Sequence, residues 1–114
     1  MSLEDPAVIT CAISGAIASR EQCAAIPYTP EEYGAEARRI VDEGGVMIHI
    51  HARRPDGTPS FEIEDFRAIT EAIREQAGDV IINYSTGAIG VPVEQRLAYL
   101  RELRPDVAAL NMGS

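Results

Sequence analysis

Residues 46–53 read Val-Met-Ile-His-Ile-His-Ala-Arg and carry the only two histidines of the chain, His49 and His51. The run is short, apolar and β-branched, which predicts a strand. Side chains alternate faces along a strand, so both imidazoles project from one face while Ile48 and Ile50 project from the other. Two imidazoles placed this way can grip one divalent metal ion. As cations they would repel, so the pair is coherent when both rings are neutral and ligating. The plainer alternative is two polar residues at a strand end, hydrogen-bonded to backbone or water.

The elements that must hold this pair alternate strand and helix along the chain. Residues 7–13 (A-V-I-T-C-A-I) read as the first strand. A helix opens at Thr29-Pro30-Glu31-Glu32, with Thr29 as N-cap, Pro30 at the first helical position and Glu32 set to close a capping box. Tyr33, Ala37, Ile40 and Val41 share a helical face, and Gly44-Gly45 end the element. The second strand is 46–52. A second helix shows Ile63, Phe66, Ile69 and Ile73 on one face and stops near Gly78. The third strand is 80–85. A third helix from about Val93 is expected to turn Val93, Leu97, Leu100 and Leu103 inward until Pro105, and residues 107–110 make the fourth strand.

Continuous apolar strands alternating with helices predict an α/β fold with a parallel sheet. The βα turns carry neither G-x-G-x-x-G nor a Walker loop, which argues against an open nucleotide-binding sheet. Ile9, Cys11 and Ile13 alternate with Thr10, Ala12 and Ser14, and Ile82 alternates with Asn83 and Ser85. One face is therefore apolar and suits helices, while the other turns polar toward the strand C-termini, as inside a barrel mouth. A (β/α)8 TIM barrel takes about 250 residues, so four βα units in residues 1–114 are expected to be the N-terminal half of one barrel domain within a longer chain.

At the strand ends, four polar groups would converge. Ser14-Gly15-Ala16 follows the first strand, and His49 and His51 with Arg53 follow the second. Ser85-Thr86-Gly87 follows the third, offering hydroxyls and open backbone N–H groups to a carboxylate or oxyanion, or simply a turn. Asn111, with Gly113 and Ser114, follows the fourth, either to polarise a carbonyl or to cap a strand end. Arg53 reads as an anion-binding side chain or, beside Arg54 and Asp56, as part of a solvated loop. Ser14, Ser85, Thr86, Gly87 and Asn111 are the candidate substrate-binding residues, and His49 and His51 the candidate metal ligands. A third ligand and a catalytic base cannot be named within these residues.

A net charge of −8 argues against nucleic acid or an anionic membrane surface as partner. The chain has no Lys, so these residues cannot form a Schiff base and must hold anions with arginines or backbone N–H groups. Cys11 and Cys23 have no secretory segment ahead of them, which reads as a cytoplasmic protein with free thiols, Cys11 filling core. No apolar run approaches the roughly 20 residues that span a bilayer.

The order T-C-A-I-S-G-A, Y-T-P-E-E, E-G-G-V-M-I-H-I-H-A-R, D-G-T-P-S, I-I-N-Y-S-T-G and P-D-V-A-A-L-N-M-G-S resembles the β-keto acid cleavage enzyme family over nearly the whole chain. The resemblance implies a TIM barrel, a homotetramer, and a zinc ion at the barrel mouth held by His49 and His51. It implies condensation of a β-keto acid with acetyl-CoA as co-substrate, giving acetoacetate and a new acyl-CoA. It places the substrate carboxylate at Ser85, Thr86 and Gly87, includes Asn111 in the fourth-strand site, and puts the third ligand and the base in later sequence. Two positions depart from the family pattern. Ile17 stands where the family commonly has an acidic residue at the far end of the substrate, and Ala88 replaces a second glycine. Isoleucine cannot hold an amino group by charge, so the expected substrate lacks the amine of 3-keto-5-aminohexanoate. Two other readings are a metal-dependent hydrolase of the amidohydrolase type, which also uses H-x-H on a barrel strand, and a catalytically degenerate barrel subunit.

Overall fold

A computed structural model describes residues 2–111, so Gly113 and Ser114 of the fourth candidate cluster lie outside the described residues. The elements run β1 (Thr10–Ala12), α1 (Pro30–Asp42), β2 (Met47–Ile50), α2 (Ile63–Ala77), β3 (Ile81–Tyr84), α3 (Val93–Leu103) and β4 (Val107–Ala108). All three strand pairs are parallel and the sheet order is β1-β2-β3-β4. Helix α1 packs on α2 and α2 on α3, so each unit lies beside the one before it. A doubly wound sheet would reverse its strand order; this sheet does not, and it has the sequential winding of a partial TIM-like barrel wall. Among the described residues no helix is long and apolar enough to cross a membrane.

The start of α1 follows from local chemistry. The Thr29 hydroxyl accepts the Glu32 N–H at 3.3 Å, and the Glu32 carboxylate accepts the Thr29 and Tyr28 N–H groups at 3.0 and 2.8 Å. Those backbone donors hold the Glu32 carboxyl below its ordinary pKa. Glu32 also pairs with Arg20, which ties the long loop after β1 to the head of the helix.

The core lies between sheet and helices. Ile48, Ile50, Ile82 and Tyr84 from the strands meet Tyr33 and Ala37 of α1, Phe66, Ile69 and Ile73 of α2, and Tyr99 of α3. The strands are shorter than the apolar runs suggested, but pairing extends past β1. The Ile9 carbonyl accepts from Val46 and Met47, and the Ile13 N–H donates to His49. Cys11 is half-buried against α1 rather than enclosed, and both cysteines are free thiols.

The third helix does not bury the face that its leucines suggested. Val93 is 53% exposed, Leu97 is half-buried, and Leu100 and Leu103 only flank the core. The buried anchor is Tyr99, whose ring stacks on Phe66 with centroids 3.9 Å apart and planes 12° from parallel. Its hydroxyl donates to the Ser85 carbonyl at 2.7 Å. A planar aromatic stack fills this seam better than branched leucine does. Burial pushes the Tyr99 phenol up to about 12, so it stays a donor at physiological pH. Tyr99→Phe is expected to keep the stack and lose about 1–2 kcal/mol by stranding a buried carbonyl; urea unfolding at fixed pH measures it.

Candidate metal and substrate site

The alternation expected of the second strand is present. Ile48 and Ile50 are fully buried on the helix side, while His49 and His51 face the other way and are partly exposed. The two Nε2 atoms stand 3.4 Å apart, with ring planes 79° from parallel. Two imidazole nitrogens on one tetrahedral zinc ion, each at about 2.0–2.1 Å, lie about 3.3–3.4 Å apart. The pair therefore has the bite of a tetrahedral ligand set, and its donors suit zinc. Among the described residues no cluster of three or more His, Cys, Asp or Glu forms around a common point, so the pair supplies two positions only.

His51 is held by its backbone. The ladder between β1 and β2 ends at Ala12 and His49, and the Ser14 side chain takes over where it stops. Its hydroxyl accepts the His51 N–H at 3.0 Å and donates to the His51 carbonyl at 2.9 Å. The Tyr33 hydroxyl of α1 donates to the same carbonyl. Expected among the substrate-binding groups, Ser14 is engaged here with the main chain of His51, so its immediate effect is to position that residue.

Burial lowers the His51 pKa to about 4, helped by the facing His49 ring and by Arg53. The ring is therefore neutral and able to bind metal over the physiological range. The sign for stability follows from the depressed value: the unfolded chain binds the proton more tightly. Stabilisation from neutral His51 is thus complete above the ordinary 6.5 and lost as pH falls toward about 4. Urea midpoints of the metal-free protein are expected to fall across that window, and His51→Gln should flatten the fall.

Arg53 is neither free to hold an anion nor solvated. It is 4% exposed, and its guanidinium donates to four carbonyls. Nε bonds Gly15 at 3.0 Å, Nη1 bonds Gly57 at 2.9 Å, and Nη2 bonds Ser14 at 3.2 Å and Ala18 at 2.8 Å. Arg53 thus pins the loop after β1 against the loop after β2. Arg54 and Asp56 are exposed, as expected of that loop.

The Ser85-Thr86-Gly87 turn is nearly buried at its first two residues. The Ser85 hydroxyl accepts the Gly87 N–H at 3.2 Å, and the Thr86 hydroxyl donates to the Ala109 carbonyl at 2.7 Å. Thr86 therefore joins the turn to the strand-four end, where Asn111 lies. A Cβ on Gly87 would meet Asn111 Nδ2 at 3.0 Å, so glycine lets the amide close on the turn. His51, Gly87 and Asn111 line one cavity of about 490 Å3, whose other walls include Ile17, Ile89 and Phe61. Phe61 and Ile89 were not anticipated; the D-G-T-P-S loop ahead of Phe61 and the residues following S-T-G were the available signals.

The structure thus brings candidate residues from three strand ends to one cavity, and their order along the chain can be compared with known proteins. A family model described as beta-keto acid cleavage enzyme matches residues 6–114. The chain is 45% identical over 108 residues to a 3-keto-5-aminohexanoate cleavage enzyme of Fusobacterium nucleatum, covering 94% of this chain and 39% of that protein. It is 37% identical to a 3,5-dioxohexanoate:acetyl-CoA acetone transferase of Paraburkholderia graminis, covering 100% of this chain and 37% of the relative. A 3-oxoadipate:acetyl-CoA acetyltransferase of Cupriavidus necator is 33% identical, over 98% of this chain and 39% of its own length. The chain spans less than half the length of these curated relatives. A match that runs through every element carrying the site is a statement about the whole segment, and the chain belongs to the beta-keto acid cleavage enzyme family.

Proposed function

We propose that residues 1–114 form the N-terminal half of one barrel domain in a zinc-dependent β-keto acid cleavage enzyme. The reaction takes R–CO–CH2–COO⁻ and acetyl-CoA to acetoacetate and R–CO–S-CoA. The bond between C2 and C3 of the keto acid breaks, the carboxymethyl fragment joins the acetyl carbon, and the CoA thiol passes to the released acyl group. The observation that carries this reading is the 3.4 Å bite of His49 and His51 in a chain of this family.

His49 and His51 would hold the ion, with a third ligand from outside the described residues. A zinc ion bound there supplies Lewis-acid polarisation to a keto oxygen. Ser85 and the Thr86–Gly87 backbone would hold the substrate carboxylate, which orients the C2–C3 bond. Asn111 Nδ2, close above Gly87, would donate to a substrate oxygen. Ser14 would act through the His51 backbone that it already bonds. The position of the pair on and just after β2 favours this reading over an amidohydrolase, in which H-x-H follows the first strand.

The names of the relatives include substrates with an amine, a second ketone and a second carboxylate. The wall of Ile17, Ile89 and Phe61 has no charge to offer such groups, so we propose an R group that is apolar and uncharged. In an acetyl-CoA-dependent screen read out as acetoacetate, alkyl β-keto acids are expected to turn over well and 3-keto-5-aminohexanoate poorly. Comparable turnover of the amine would refute the assignment of the tail. We further propose that the full chain is cytoplasmic, in keeping with the two free cysteines, and that it assembles as the homotetramer that the family resemblance implies.

A further inference from the structure

With no lysine in the chain and neutral histidines, positive side-chain charge near the site must come from arginine. Among the described residues most arginines pair with a carboxylate, and Arg53 is committed to loop carbonyls. Arg96 and Arg104 have no acidic partner there, and Arg104 caps the far, C-terminal end of α3. Arg96 lies near the start of that helix and is half-buried. Its guanidinium makes one hydrogen bond, from Nη1 to the Thr86 carbonyl at 3.4 Å, and its Nε is buried without a partner. A guanidinium N–H buried without an acceptor is costly, so its placement needs a physical reason.

We propose that Arg96 is a positioning residue that holds the Ser85-Thr86-Gly87 turn from behind and supplies the positive charge against which the keto acid's carboxylate binds. The inference rests on the assignment of that turn to the carboxylate. The Thr86 carbonyl and the Gly87 N–H belong to one planar trans peptide and point in opposite directions. A cationic donor on the carbonyl therefore turns the N–H away from α3 and polarises the amide, which strengthens it as a donor. Tyr99, three residues further along α3, holds the Ser85 carbonyl in the same way at 2.7 Å. The Gly87 N–H meets the Ser85 hydroxyl at 3.2 Å. Ser85 accepts in that bond, so its own O–H remains to donate. Ser85 and Gly87 line one recess with His51, which sets this donor beside the histidine pair. The relay runs from Arg96 through the Thr86–Gly87 peptide and Ser85 to the carboxylate.

Calorimetry on the full chain tests it with acetoacetate and its uncharged amide, acetoacetamide, as probes. Arg96→Met is expected to weaken acetoacetate about 10-fold and to leave acetoacetamide unchanged, because a nearby charge acts on the anion and not on its neutral isostere. Arg96→Lys keeps the charge without the planar fork and should restore most of the acetoacetate affinity. Arg96→Gln, equally uncharged and more polar, serves the same comparison should the Met variant not fold. A merely structural role would weaken both probes alike. Equal losses for the two probes, or unchanged acetoacetate affinity in the uncharged variant, would overturn the proposal. So would an unsubstituted protein that shows no preference for acetoacetate, binding of neither probe included. Turnover of an alkyl β-keto acid with acetyl-CoA on the same preparations reports separately on the enzymatic reading. No turnover, with acetoacetate binding still dependent on Arg96, would defeat that reading and leave the role of Arg96 standing.

Discussion

His49→Ala in the full chain is expected to copurify with no stoichiometric zinc and to lose at least about three orders of magnitude in acetyl-CoA-dependent turnover. The size follows from the chemistry. Lewis-acid stabilisation of a developing oxyanion is worth several kcal/mol, and each 1.4 kcal/mol is about a decade in rate. Removing one ring leaves a single imidazole, and a lone histidine cannot define the bite that the 3.4 Å pair presents. The fold should survive, because His49 projects away from the core of Ile48, Ile50 and Ile82. Metal analysis, circular dichroism and the acetoacetate assay on one preparation separate loss of the site from loss of the protein.

Arg53→Met is expected to be the most destabilising single change outside the aromatic core, at about 3–5 kcal/mol. Four loop carbonyls lose a charged donor at once, those of Ser14, Gly15, Ala18 and Gly57. Hydrogen bonds to a charged group contribute about 1.5–3 kcal/mol each, but water will satisfy some of the stranded oxygens. Arg53→Lys should recover little, because an ammonium cannot reproduce the planar fork. The change should also reach the metal, since the loop that it releases carries the Ser14 hydroxyl that bonds the His51 backbone. Urea unfolding gives the first effect. Zinc affinity under conditions where the variant remains folded gives the second, and an unchanged affinity there would separate the loop from the site.

Several parts of this architecture were legible from local chemistry. Thr29-Pro30-Glu31-Glu32 closes its capping box as the four residues alone require. The two-residue period of a strand put His49 and His51 on the face opposite Ile48 and Ile50, and burial agrees. The sequential strand order agrees with the barrel reading drawn from a face that turns polar toward the strand C-termini and from βα turns without a nucleotide-binding motif. What was not legible depends on contacts distant in sequence. Arg53 looked like a loop residue because its partners at Ser14, Gly15 and Ala18 lie on the far side of the intervening helix α1. The leucine spacing of α3 drew attention away from Tyr99, whose place is decided by the Phe66 ring of α2.

The most direct test strips the purified full chain of metal with a chelator and follows acetoacetate formation from acetyl-CoA and an alkyl β-keto acid. Activity is expected to vanish with the metal and to return on adding back one equivalent of zinc per chain, but not in the His49→Ala protein. Full turnover by the zinc-free protein would contradict the assignment of His49 and His51 as the metal-binding pair on which this chemistry rests.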